Sequence, residues 1–256
     1  MKLVISIPCY NEEPTLPLVL GELPTYLPDI SEIIVQIVDD GSIDETAKVG
    51  ESFGCRVIKH DRNLGLGYAF QTGVSVALDS GCDIFVNIDA DNQYPARYIA
   101  DIIQPILKNE ADIVIGDRQP WKVEHFSPLK RFLQWVGNGV IRILLKIDSP
   151  DAVSGFRAYS RGALEKLHVT TSYSYTLETL VQAAKKGINI KWMAISTNPP
   201  TRKSRLSKHI LQYIALTGLN FLRVLVIYEP EKILLWGIFS LLFPLLCIII
   251  LYFLLA

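Results

Sequence analysis

The chain has 256 residues, half of them hydrophobic, and a formal net charge of -1. This length allows one domain with a substantial core plus appendages, and the near-neutral charge excludes bulk attraction to nucleic acid, so no such partner is expected. Cys9, Cys55, Cys82 and Cys247 form no C-x-x-C pair and no zinc spacing, and Met1-Lys2 leads straight into an apolar run without a signal-peptide pattern, so a reducing, cytoplasmic setting is expected for the soluble part.

In chain order, residues 3–7 read as a first buried strand. Pro8-Cys9-Tyr10-Asn11-Glu12-Glu13 is a polar turn opening a helix towards Leu23. Residues 33–38 form a second strand that ends in Asp39-Asp40-Gly41-Ser42. Ser42 and Glu45 have capping-box spacing for the next helix. Arg56–Lys59 is a short third strand. Asn63-Leu64-Gly65-Leu66-Gly67 opens a helix running from Tyr68 to Asp79, with Gly81 as its C-cap. A fourth strand spans 84–88, a helix 95–108 and a further strand 113–115. Strands alternating with helices predict an α/β fold, with a parallel sheet covered on both faces and ligands at the carboxyl ends of its strands.

Two carboxylates, Asp89 and Asp91, follow the fourth strand, with Gln93 two residues further on. In an extended segment all three point to one side. Their oxygens are the ligands that Mg2+ and Mn2+ prefer, and Mg2+ fills the rest of its shell with water and substrate phosphate. Asp-x-Asp at a strand end therefore points to a metal-bound diphosphate. Read structurally, the same carboxylates would cap the helix near Pro95. Gly65-Leu66-Gly67 lacks the third glycine of G-x-G-x-x-G, and no G-K-[ST] loop is present, so the dehydrogenase and ATPase fingerprints are missing.

Five segments occur in a fixed order: Ile7-Pro8-Cys9-Tyr10-Asn11-Glu12, Val38-Asp39-Asp40-Gly41-Ser42-Ile43-Asp44-Glu45-Thr46, Gly65-Leu66-Gly67-Tyr68-Ala69, Asp89-Ala90-Asp91-Asn92-Gln93 and Ser154-Gly155-Phe156-Arg157. The ordered set resembles the nucleotide-sugar-dependent GT-A glycosyltransferases of family two. Within them it is most similar to the branch of dolichyl-phosphate mannose synthase and the bacterial undecaprenyl-phosphate sugar transferases. The resemblance implies a GT-A, Rossmann-like, mostly parallel sheet. It implies Asp39 or Asp40 at the nucleotide base, with Pro8, Tyr10, Glu12, Gly65 and Ala90 on the donor side. It implies Asp89, Asp91 and Gln93 around a Mg2+ or Mn2+ ion and the diphosphate.

The second half supplies an acceptor side. Between residues 117 and 146, Arg118, Lys122, Lys130, Arg131, Arg142 and Lys146 outnumber Asp117 and Glu124. Pro128–Leu145 is an amphipathic helix candidate whose basic residues either serve a site or form a solvated face. In the resembled branch, arginines matching Arg118 and Arg131 hold the lipid phosphate, for which planar guanidinium forks are well suited. Asp151-Ala152-Val153-Ser154-Gly155-Phe156-Arg157 matches the branch's Asp-x-x-Ser-Gly-Phe-Arg, or is an ordinary turn into a strand. Glu178 reads as a solvated carboxylate in the first turn of a helix.

The basic stretch at 202–208 matches a loop that in the branch reads Arg-x-x-Gly-x-Ser-Lys and folds over the donor diphosphate. Arg202 keeps its match, and Arg205 stands at the glycine. Lys208, Gln212, Asn220 and Arg223 share one arc of a helix, which suits either a helix on a bilayer surface or one packed on the soluble domain. Ile233 to Ala256 contains no charged residue and no histidine, and at 1.5 Å per residue it can cross a hydrocarbon core of about 30 Å, as a single span or as part of a longer hairpin. The expected organisation is a GT-A domain at 1–200, a basic loop and surface helix at 201–231, and a transmembrane helix at 232–256.

The expected reaction is inverting transfer of a sugar from a nucleoside diphosphate to a polyprenyl phosphate, in membrane lipid, with the catalytic domain on the cytoplasmic side. A homo-oligomer is compatible with it. One rival is transfer to a glycolipid or polysaccharide hydroxyl, although the Gln-x-x-Arg-Trp motif of processive synthases is absent. Another is a catalytically silent, membrane-tethered nucleotide-sugar-binding protein.

Overall fold

The structure is a computed structural model that describes residues 1–123, 126, 128–199, 201, 210–231 and 233–234. The chain divides into two compact units, Met1–Lys208 and His209–Ala256.

The first unit is built on a seven-stranded sheet. Its strands are β1 (Lys2–Cys9), β2 (Glu32–Asp39), β3 (Arg56–Lys59), β4 (Ile84–Asn87), β5 (Ile113–Asp117), β6 (Arg157–Ser160) and β7 (Ile190–Ala194), in the spatial order β3-β2-β1-β4-β6-β5-β7. Every pairing is parallel except those of β6, which runs antiparallel to β4 and β5. The exception follows from connectivity. After β5 the chain stays at the carboxyl edge through residues 118–156, so β6 enters the sheet from that edge and runs back down it. A parallel β6 would need a crossover to the opposite edge.

Strand alternation sorts the core into two layers. Leu3, Ile5 and Ile7 of β1 and Ile84 and Val86 of β4 face one side, where they meet α1 (Leu16–Glu22), α4 (Ile99–Ile102) and α5 (Gln104–Leu107). Phe85 of β4 and Tyr159 of β6 face the other, against Phe70 of α3 (Leu66–Asp79). Phe70 stacks on Tyr175, which precedes α8 (Thr176–Lys186), with ring centroids 4.0 Å apart. Each of these fully buried side chains stabilises the fold by about 1.5–3 kcal/mol.

Two local expectations are corrected. The helix expected at 95–108 is a 3-10 turn (Ala96–Tyr98) followed by the separate short helices α4 and α5. Pro105 has no N–H for a continuous ladder, and it sits where α5 restarts. The capping box is not formed: α2 (Thr46–Ser52) begins after Glu45, with no side-chain cap. Ser42 and Thr46 instead receive the backbone N–H groups of Asn11 and Glu12, tying the β2 loop to the β1 loop.

Between the β5 edge and β6 lies α6 (Pro128–Leu145), as expected. α7 (Arg161–Leu164) follows β6. Arg157 is fully buried and holds this region together. Its guanidinium donates to the carbonyls of Ala152, Ser154 and Thr176 and to the Thr179 hydroxyl.

In the second unit α9 (Ile210–Tyr228) is a single helix. Asn220 on it is buried, whereas Leu219, Leu222, Val226 and Ile227 are exposed. Among the described residues no helix is long and apolar enough to cross a membrane. The span expected at 232–256 lies almost wholly outside the described residues, as do Arg202, Arg205 and Lys208.

Replacing Arg157 by leucine removes the guanidinium donors from the buried carbonyls of Ala152 and Ser154. The expected cost is about 3–5 kcal/mol, read as a lower denaturation midpoint in urea.

Candidate active site

The carboxyl ends of β1, β2, β4 and β5 lie along one edge of the sheet, with Cys9 paired to Asp39. On the donor side, the loops after β1 and β2 are laced together. Asn11 adopts a positive φ of 54°, and its side-chain oxygen accepts the N–H of Ile43. Glu12 is buried, and its carboxylate accepts from the Thr15 hydroxyl at 2.7 Å.

Asp39 and Asp40 are both buried but differently engaged. Asp40 accepts the N–H groups of Leu64 and Gly65 and lies 2.7 Å from His60 Nδ1. It anchors the 60–65 loop. One oxygen of Asp39 accepts the N–H of Ser42. Of the two, Asp39 is therefore the better placed to meet a ligand at the edge. Pro8 is buried within β1, and Tyr10 is exposed beyond it.

Gly65 is held from both sides. Its N–H goes to Asp40, and the carbonyl of Ser172 lies only 2.3 Å from where a Cβ would stand, at a φ of 101°. Gly67 meets the Thr171 carbonyl just as closely and donates its N–H to Ser172. The glycine pair thus serves close packing of the 170–175 loop. That loop is pinned by Glu178, which is fully buried rather than solvated and accepts from the N–H and hydroxyl of both Thr170 and Thr171. A first-turn carboxylate was expected in water. The two threonines supply the donors that make its burial tolerable.

Asp89, Ala90, Asp91 and Gln93 come together in a turn rather than an extended segment, with Asn92 at a φ of 58°. Gln93 donates its backbone N–H and its side-chain amide to the two oxygens of Asp91. Asn198 bonds the carbonyl of Asn92, and Thr201 bonds that of Asp91, so the segment after β7 clamps the turn. Ala90 is buried beneath it. Asp89 keeps part of its surface open to the cleft. Enclosure of its carboxyl by protein, and then the charge of Asp91, push its pKa up to about 7, against opposing pulls from Arg118 and Arg157.

A carboxyl whose proton affinity is raised by burial and by a neighbouring carboxylate marks a place that lacks positive charge. The donor set is all oxygen, and no cluster of three His, Cys, Asp or Glu side chains occurs among the described residues. Such a site fits Mg2+ or Mn2+, with remaining positions filled by Gln93, water and phosphate. Nothing in it suits zinc.

The acceptor-side arginines meet around one loop. Arg118 forms a two-pronged ion pair with fully buried Asp151, at 2.6 and 2.7 Å, and lies over the Phe126 ring. Arg131 reaches from α6 to the Val123 carbonyl at 2.9 Å, and its buried Nε has no partner. A cavity of about 490 Å³ opens beside them, lined by Arg118, Lys122, Tyr98 and Ser196.

Several residues that shape the site were not assigned roles from sequence. Gly155 lies under Asp89, and a Cβ there would stand 2.9 Å from the carboxylate. Tyr175 and Asn87 both hydrogen-bond the Gly155 carbonyl. Asp151 is the counter-ion of Arg118. The Asp-x-x-Ser-Gly-Phe-Arg string was the available signal, but its partners are distant in sequence.

An α/β sheet with carboxylates gathered at its carboxyl edge and a basic wall opposite has the layout of a GT-A glycosyltransferase. Residues 4–168 match the model of glycosyl transferase family 2, and the chain belongs to that family. It is 33% identical over 216 residues to the UDP-N-acetylglucosamine–dolichyl-phosphate N-acetylglucosaminyltransferase of Methanococcus voltae, covering 75% of this chain and 84% of that one. It is 28% identical to the undecaprenyl-phosphate mannosyltransferase of Micrococcus luteus, covering 74% and 81%. The fold matches glucosyl-3-phosphoglycerate synthase of Mycobacterium tuberculosis, solved with Mn2+, UDP and glucosyl-3-phosphoglycerate, with a TM-score of 0.68 at 19% identity over 88% of this chain and 78% of that one.

Two outcomes follow for the carboxylate turn. In Gly155→Ala the added methyl meets a movable carboxylate rather than backbone, so stability falls by about 1 kcal/mol or less. Asp89 is nevertheless displaced, and Mn2+ affinity, read by calorimetry, drops about tenfold. In metal-free protein, the raised pKa of Asp89 gives stability that is full below its ordinary value of 3.8 and is lost as pH rises through about 7. Melting curves in a chelator should therefore show wild type losing stability relative to Asp89→Asn across that window and no further above it.

Proposed function

We propose that this glycosyltransferase moves a sugar, with inversion, from a nucleoside-diphosphate sugar to a polyprenyl phosphate at the cytoplasmic face of a membrane. The observation that carries the reading is the nearness of a cation-seeking carboxylate turn to an arginine suited to phosphate: Arg118 is close enough to Asp89 to favour its ionised form, and Arg131 bonds the Val123 carbonyl nearby. The names of the similar proteins, which act on dolichyl and undecaprenyl phosphates, support it.

Asp89 and Asp91, with Gln93, would hold Mg2+ or Mn2+, which supplies positive charge to the leaving diphosphate. Asp39 would accept from the nucleotide base, flanked by Pro8, Tyr10 and Glu12. Thr201, whose hydroxyl bonds the Asp91 carbonyl, precedes Arg202 in the chain, which supports a role for Arg202 at the diphosphate. Its charge would assist departure of the nucleotide.

Arg118 and Arg131 would position the acceptor phosphate. A phosphate monoester has a second pKa of about 6 and is mostly a dianion at neutral pH, so its oxygen attacks the anomeric carbon without a general base. The new carbon–oxygen bond forms as the bond to the diphosphate breaks, which inverts that carbon. A hydroxyl acceptor would need a base and would make no use of the guanidinium groups of Arg118 and Arg131.

Incubating the full chain with labelled nucleotide sugars, Mn2+ and a polyprenyl phosphate should yield a lipid-extractable product. Its absence with every common donor would refute the reading. Asp91→Ala should lower kcat/KM by about a thousandfold or more. Arg131→Ala should raise the acceptor KM by about tenfold or more while donor affinity is unchanged.

A further inference from the structure

A helix at the surface of a globular unit normally turns its apolar stripe inward. α6 departs from this: Ile141 and Leu145 are buried, but most of its apolar residues are not. Its polar side faces the protein: Arg131 bonds the Val123 carbonyl, Asn138 bonds Pro150 and Ala152, and Arg142 bonds Ser149. Its apolar side faces out. Leu129, Phe132, Trp135, Val136, Val140 and Ile143 are all exposed, Ile143 to 76% and Trp135 to 57%, and the rings of Phe132 and Trp135 lie 6.1 Å apart. Trp121 on the adjoining loop is also exposed. Helical spacing puts the six on one continuous stripe, and a contiguous patch of this kind marks an interaction surface.

We infer that this outer face of α6 is a bilayer-docking surface, seated in the headgroup–acyl boundary with the helix in the membrane plane. The inference rests on the acceptor reading above and extends it to how the lipid reaches the site. Three observations select lipid as the occupant. Tryptophan and phenylalanine are suited to the membrane interface, where apolar rings sit among headgroups. Of the cations in segment 117–146, Lys122 and Lys146 are exposed beside the stripe and complement anionic headgroups at its rim. The inward face of the same helix carries Arg131 and, through Asn138 and the 150–152 loop, supports Asp151 and hence Arg118. Docking the outer face therefore sets both arginines at the level of a phosphate that stays at the membrane surface.

The test uses the full chain with an environment-sensitive fluorophore on Ile143→Cys, added to phosphatidylcholine vesicles with and without anionic lipid. The same label on Tyr26→Cys serves as control, since Tyr26 is exposed at the amino edge of the sheet, away from the site. Both are read against the parent chain labelled identically. Emission at Ile143 should shift to the blue and brighten by about twofold or more, and bromolipids should quench it, with the Tyr26 label unchanged. Val140→Cys should respond in the same way and replaces Ile143→Cys should that variant fail to fold. Identical responses at Ile143 and Tyr26 in vesicle-bound protein would overturn the inference. So would a shift at Ile143 that follows protein concentration without vesicles, which would assign the face to a second copy. The fluorescence needs no turnover. A lipid response without transfer to polyprenyl phosphate would keep the docking face and refute the acceptor, and transfer without a lipid response would do the reverse.

Discussion

Asp91 stands close enough to Asp89 for its charge to resist ionisation of the Asp89 carboxyl, and much of the first unit is arranged around that repulsion. Asp89 is enclosed deeply enough to feel it, because Gly155 has no side chain to push the carboxylate into water. Tyr175 and Asn87 hold the Gly155 carbonyl and so fix the floor of the turn. Arg118 is near enough to ease the repulsion, yet Asp151 takes two of its donors and limits the relief. The site is left deficient in positive charge, as a site completed by a cation and a diphosphate should be. A fully compensated pair would bind neither well.

Buried polar anchors make the surrounding loops rigid. Asp40, Glu178 and Arg157 are all buried, and each ties together segments that lie far apart in sequence. Asp40 fixes the loop before α3, Glu178 fixes the loop that presses on Gly65 and Gly67, and Arg157 fixes the loop before β6. Each charged group leaves water only because several donors or acceptors meet it. The gain is a single loop geometry at the sheet edge rather than greater stability. A cleft that orients a nucleotide needs this, since misplacement by about 1 Å costs much of the advantage of orientation.

Legibility in the sequence followed locality. β3 and α6 were read with their observed bounds, and β1, β2 and β4 within two residues, because apolar runs and punctuating residues are local signals. Asp91 lies near Asp89 and bonds Gln93, but the turn at Asn92 brings this about rather than the strand alternation expected. The antiparallel entry of β6 was not legible, since strand direction depends on where the preceding forty residues of loop and helix return the chain. Ser42, Glu45 and Glu178 were misread for a related reason. Each carries a residue type with a familiar short-range role, and each found, or was displaced by, a partner elsewhere in the fold. Asp151 and Arg157 could be quoted as a motif, but their roles depend on Arg118 and on the carbonyls around α8.

α6 shows how one periodic pattern can be right in sequence and opposite in space. Its period was plain, but the period does not say which stripe is inward; that depends on what the helix covers. Here it covers the 148–152 loop and the Arg118–Asp151 pair, which are polar, so Arg131 and Asn138 turn in beside Ile141 and Leu145, and the wider apolar stripe turns out. This inversion costs stability in water, where Ile143 and Trp135 stay hydrated. An apolar boundary outside the helix reverses the sign of that cost. The proposed reaction supplies such a boundary, because the donor is water-soluble while the acceptor's chain is confined to the bilayer. A transferase joining the two must hold a diphosphate at one edge of its sheet and present its acceptor wall to the lipid. A helix with arginine on one face and tryptophan on the other meets both demands in a single element.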